Sequence, residues 1–178
     1  MPPFHPIIVH YPIALSMTSV VADTTARLGG LPSLLPLGQW GMAIAAVGAV
    51  LAATAGYADM KRAGLAEETH VIVHLHMKIG LAVSTALVAL ALWRWLGQAP
   101  SALYLIVGWV VLAGVAIQAW LGGEIVYAHG GGVAAAGQGT APAQEARQAS
   151  RIFYNRLTGR NPAKESESKS HRPADGSR

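Results

Sequence analysis

The sequence predicts an all-α integral membrane protein, a four-helix bundle of up-down-up-down topology followed by a disordered basic C-terminal tail. Three observations predict it. Of the 178 residues, 52% are hydrophobic and only 12% charged, with a mean hydropathy of +0.37, whereas a soluble domain carries about 25% charged residues. Four apolar stretches come close to the roughly 20 residues that an α-helix needs to cross a bilayer. The connections between them are short, which makes consecutive helices antiparallel neighbours.

The first stretch, residues 7–28, is broken only by His10, Asp23 and Arg27. No Lys or Arg precedes it and His5 and His10 interrupt its start, which argues against a signal peptide. Gly29, Gly30, Pro32 and Pro36 mark the first turn. The second stretch, residues 40–57, is uncharged and leads into a polar connection from Ala58 to Thr69. In the third, residues 71–95, His74, His76 and Lys78 crowd the first two turns. After Gly97 to Pro100 comes the fourth, residues 102–123, again without charge. Trp40, Trp93, Trp95 and Trp120 and Tyr11, Tyr57, Tyr104 and Tyr127 lie mostly near span ends, as interfacial aromatics do.

Charge divides the chain in two. Residues 1–135 hold five basic and five acidic side chains, so the net charge of +4 belongs entirely to the tail. The high isoelectric point therefore does not indicate a nucleic-acid-binding domain. Within the tail, residues 144–157 form a candidate amphipathic helix, with Ala149, Ile152, Phe153 and Leu157 among Arg147, Arg151 and Arg156, suited to an anionic lipid surface. The absence of cysteine excludes disulfides, iron–sulfur clusters, thiolate-ligated haem and cysteine zinc sites.

Four antiparallel spans bring the N-terminus, the 58–69 connection and the end of the fourth span to one membrane side. That side gathers His5, His10, His70, His74, His76 and His129 with Asp59 and Glu124. Ionisable groups retained at membrane depth usually face the bundle interior or water. At 100° per residue His76 points about 200° away from His74, onto the face of Gly80, Val83, Ser84 and Leu87, where small residues admit a neighbouring helix. The other spans carry comparable stripes: His10, Ala14 and Thr18; Gly48, Ala52 and Gly56 leading to Asp59; Gly114, Gln118 and Gly122. The expected pair is thus His10 and His76, with His5 or His129 as the alternative partner. Two imidazoles from different helices are the ligand set of a haem b. Three or four His and carboxylate donors would instead hold a metal ion, and the same residues could relay protons. A cofactor-free accessory or assembly protein, its polar groups knitting helix ends together, is the reading from a different class. No P-loop, dinucleotide fingerprint, internal repeat or nucleophile–base pair is evident. Lys61, Arg62, Lys78 and the basic tail outnumber Arg27 and Arg94, which places both termini in the cytoplasm.

The segment His5-Pro-Ile-Ile-Val-His10-Tyr-Pro-Ile-Ala-Leu15 resembles HPxxVHFPIAL, the opening signature of a bacterial membrane-protein family, domain of unknown function 2231. Gly56-Tyr-Ala-Asp59, a histidine opening the third span, and Gly122-Gly-Glu-Ile-Val-Tyr-Ala-His129-Gly, which resembles GGxLVYxHG, extend the likeness over residues 5–133. The resemblance implies a four-span protein of the bacterial inner membrane and points to His5, His10, Asp59, His76, Tyr127 and His129. Where relatives often read His-x-x-x-Asn, this chain has His76-Met-Lys-Ile-Gly80, so the amide has no counterpart at that position. Tyr11 stands for the usual phenylalanine and Met60 for a frequent tryptophan. Some relatives appear joined to Rieske-type domains, which associates the family with redox chemistry. The implied partners are membrane lipids and a redox or membrane-complex partner.

Overall fold

The computed structural model describes residues 4–62, 67–97 and 99–127, together with Gln148, Ile152 and Asn155. The flexible tail expected over 134–178 and its candidate helix over 144–157 otherwise lie outside the described residues, as does His129. Among the described residues there is no strand, and four helical segments are long and apolar enough to cross a membrane.

The first span is made of α1 (His5–Ile8) and α2 (His10–Leu28), interrupted at Val9. Pro12 explains the break, because it has no N–H to offer the Ile8 carbonyl one turn earlier. The chain stays helical in course across it, with Val9 N–H bonded to His5 O and Ile13 N–H to Val9 O. Helical structure thus begins at His5, two residues before the apolar stretch read from the sequence. Gly29 closes α2 by donating to Thr25 O, and Gly30 takes a left-handed φ of 67° that other residues would adopt only with strain. A single 3-10 turn over Pro32–Leu34 leads into α3 (Leu35–Arg62). Next come α4 (Glu67–Leu96) and α5 (Ala102–Tyr127). Ser101 caps α5, its Oγ accepting the Tyr104 N–H at 3.1 Å.

α2 packs on α3, α3 on α4 and α4 on α5, and α5 closes the ring on α2, so the first and third spans lie diagonally opposite. Lipid tails are as apolar as leucine, so helices in a membrane associate through close packing and hydrogen bonds rather than through hydrophobic exclusion. The sequence meets that demand along α3, where Ala45, Ala46, Ala49 and Ala52 are all buried. Val20, Met42, Leu87, Leu90, Tyr104, Leu105 and Val115 fill the space around Ala49. Val47, Leu51, Leu81, Leu92, Ile106 and Val110 face outward, where acyl chains solvate them.

A buried ion pair holds the end opposite His5. Arg94 Nε donates to Asp23 Oδ2 at 2.9 Å and Nη2 to Oδ1 at 3.2 Å, with side-chain exposures of 2% and 0%. Nη2 also donates to Leu35 O at 3.2 Å, which joins α4 to the start of α3. The carboxylate lies against Gly38, where a Cβ would collide with it. Ser19 Oγ donates to Gly38 O at 2.6 Å, and the buried Tyr104 ring stacks edge-to-face on Trp93 at 5.9 Å. All four spans therefore contribute to this end.

Candidate functional site

At the other end, the interior side chains form a second polar cluster. His5 Nδ1–H donates to Ala52 O on α3 at 2.7 Å, and the His5 backbone N–H donates to Asp59 Oδ2 at 2.9 Å. The first bond fixes the ring and the second anchors the start of the first span to the end of α3. Because a carbonyl oxygen can only accept, neutral His5 carries its proton on Nδ1 and leaves Nε2 bare. Gly56 makes the approach feasible, since a Cβ there would stand 2.9 Å from His5 Nδ1.

His76 reaches the same place from the diagonal span. The two imidazole centroids are 5.9 Å apart, with ring planes at 89° in an edge-to-face contact. His76 Nε2 lies 3.0 Å from the Gln118 carboxamide of α5, and its Nδ1 is buried without a hydrogen-bond partner among the described residues. Gly122 sits against the ring, its missing Cβ 3.2 Å from His76 Cε1. A Cβ on Gly80 would lie only 2.6 Å from Gln118 Nε2, so the amide occupies space that a larger residue at 80 would claim.

The structure does not bring all the expected residues together. His10 is exposed on the outer face of the first span, as are Ala14 and Thr18 one and two turns on, so the expected His10–His76 pair does not form. The inward stripe of α2 is Pro12, Ser16, Ser19, Asp23 and Ala26. His10 and His5 are five residues apart, about 140° around a helix, and cannot both face the axis. The alternative partner, His5, meets His76 instead. His74 is exposed and His76 turns inward, as their helical phase requires. Asp59 joins the cluster through His5, while Tyr127 ends α5 with 85% of its surface exposed. The sequence pattern places Gln118 in a small-residue stripe, and its bond to His76 is added by the structure. The signal was the empty position at Gly80, which left an amide-sized gap one turn beyond His76.

The arrangement offers two imidazole donors but no larger ligand set. Among the described residues, no three His, Cys, Asp or Glu side chains come together around one ion. Zinc of either usual type takes at least three protein ligands, so this part of the chain does not complete such a site.

A family model described as a predicted membrane protein, DUF2231, matches residues 1–135, which includes every described element from α1 to α5. The chain belongs to the DUF2231 family. No curated protein and no solved structure matches it. For this DUF2231 protein the site must therefore be read from its own geometry.

Proposed function

We propose that this DUF2231 protein is a haem b-binding electron-transfer subunit of the bacterial inner membrane, with His5 and His76 as the iron ligands. One observation carries the reading: imidazoles from diagonally opposite spans meet across the bundle axis, 5.9 Å apart between centroids. A bis-histidine haem needs one imidazole on each face of its macrocycle. Donation of the second ring nitrogen to a backbone carbonyl, as His5 Nδ1 makes to Ala52, is the usual bracing of a metal-bound histidine. The intervening spans turn glycines toward the rings, Gly56 on α3 and Gly122 on α5. A bound haem would supply one-electron chemistry. This chain's residues would hold the rings in orientation through Ala52 and Gln118, tie the entry of the first span down through Asp59, and surround the group with apolar helix. Because the rings now touch, loading requires the two side chains to part. With basic residues concentrated at the His5 end and in the tail, the reading places both termini in the cytoplasm, near anionic lipid and a one-electron redox partner.

The test is spectroscopic. Protein purified in detergent from haem-replete cells should show a Soret band and a reduced-minus-oxidised α band. His5→Ala and His76→Ala should each abolish or shift them, and His10→Ala should leave them intact. Colourless wild-type protein would overturn the reading.

The direct ring contact favours a second reading, in which the cluster is a cofactor-free clasp of an accessory or assembly protein. In that case His5→Ala and His76→Ala lower unfolding stability while wild-type protein purifies without colour or stoichiometric metal.

A further inference from the structure

We infer that a second copy of this chain docks on the outer face of the first span, the two α2 helices running parallel with His10 against its counterpart. Nothing in this pairing depends on a bound cofactor.

His10 is exposed on the outer face of α2, and no hydrogen bond or ion pair engages it among the described residues. Its depth follows from the packing. Pro12, two residues on, lies against Gly48 of α3, its Cδ 3.1 Å from where a Cβ would stand. Gly48 is nine residues inward from Tyr57, whose ring lies 4.5 Å from the Lys61 ammonium. Nine residues are about 13 Å of helix, so His10 sits about 10 Å inside that interfacial pair. Acyl chains there neither donate nor accept a hydrogen bond. Lys78, exposed on α4, has a flexible stem along which its ammonium reaches the headgroups, whereas an imidazole one carbon from the backbone has no such reach.

The face around His10 has the spacing of a helix seam. From His10 the exposed positions step to Ala14, Met17, Val21 and Leu28, at intervals of four, three, four and seven residues. That is the heptad spacing at which two helices stay in contact along a left-handed crossing. Ala14, beside His10, lets the backbones come close. Copies inserted by the same route share one orientation, so a two-fold axis along the membrane normal sets each seam position opposite itself at equal depth. This selects the occupant. A neutral imidazole carries one N–H and one bare nitrogen, so one His10 donates to the other and both find in the dimer what lipid withholds. A single polar position in an apolar seam also fixes its register.

Single cysteines in this cysteine-free chain test the face. Oxidised in native membranes, Ala14→Cys should give a disulfide-linked dimer, whereas Val47→Cys and Val110→Cys, exposed on the outer faces of α3 and α5, should stay monomeric. Two differently tagged Ala14→Cys chains, co-expressed, should appear together in the crosslinked band. A band that never carries both tags overturns the inference, and so does crosslinking that is absent at Ala14→Cys or equal at all three positions. Sedimentation equilibrium in density-matched detergent reads the imidazole pair. His10→Leu should raise the dimer dissociation constant roughly three- to tenfold, the scale of one hydrogen bond between membrane helices. His10→Asn, which keeps a donor and an acceptor, should restore most of the affinity. Monomeric wild-type protein, or a dimer indifferent to His10→Leu, overturns the inference. Because His10 and Ala14 face outward, these substitutions leave the packing of the bundle untouched.

Discussion

Replacing Arg94 by methionine removes the guanidinium but keeps an unbranched apolar stem of similar reach. Three hydrogen bonds go with it, two to Asp23 at 2.9 and 3.2 Å and one to Leu35 O at 3.2 Å. Asp23 is left with no exposed surface and no counter-charge. Breaking a buried pair by removing one partner costs about 3–5 kcal/mol, because the remaining charge has lost both water and its ally. Arg94→Met should therefore lower the folding equilibrium constant by roughly two to four orders of magnitude at neutral pH, at about 1.4 kcal/mol per decade. Asp23→Leu/Arg94→Met should recover most of the loss, since an apolar pair in place of a buried ion pair is often neutral or better by about 1–4 kcal/mol. Reversible unfolding in mixed detergent micelles, followed by the fluorescence of Trp93 and Trp95 beside the substituted position, gives the three free energies. A single Arg94→Met variant within about 1 kcal/mol of wild type would refute the reasoning, because that is the scale of a solvated surface pair.

Gly38→Ala should be destabilising by about 1–3 kcal/mol in the same assay, since the added Cβ would collide with the Asp23 carboxylate in a packed interior. Trp109→Phe, which deletes an exposed bond from Nε1–H to Thr24 Oγ1 at 3.2 Å, should cost only about 0.6 kcal/mol, the mean for hydrogen bonds between membrane helices. Because the chain has no cysteine, single cysteines can be read without background. With Lys61→Cys and Ser33→Cys, a membrane-impermeant maleimide added to intact cells should label Ser33→Cys and spare Lys61→Cys. The reverse pattern would invert the proposed orientation.

The four spans were legible because a bilayer imposes a length that few other structures require, and the breakers at Gly29–Pro36 and Gly97–Pro100 fall between them. Helical phase was legible in α3, α4 and α5, where a single stripe combines small residues with a polar end. It separated His76 from His74 and placed Gln118 and Gly122 toward the bundle. α2 offers two such stripes about 200° apart, His10–Ala14–Thr18 and Pro12–Ser16–Ser19–Asp23, and local pattern does not choose between them. The choice is tertiary. Asp23 can be buried only against Arg94, 71 residues away, and once it turns inward His10 must turn outward. Arg94 itself read as an interfacial positive charge, which is the usual position of such a residue near a span end. The missing amide at Gly80 was visible in sequence. Its replacement by Gln118 was not, because that depends on two helices lying closer than most side chains allow.

The Asp23–Arg94 pair also sets a schedule for biogenesis. Asp23 is made 71 residues before its counter-charge. At about 5–20 residues per second, Asp23 exists for roughly 4–14 seconds before Arg94 does. During that interval an aspartate near the far end of the span has no partner, and on the insertion scale such a residue costs up to about 2.5–3.5 kcal/mol at mid-membrane depth. The first span is therefore poorly suited to early, independent release into lipid. It must wait beside the insertion machinery, or with its carboxylate at the headgroups, until the third span arrives. Ribosome-stalled chains truncated before Arg94 should remain extractable or crosslinked to the insertion channel, and chains extended past it should not.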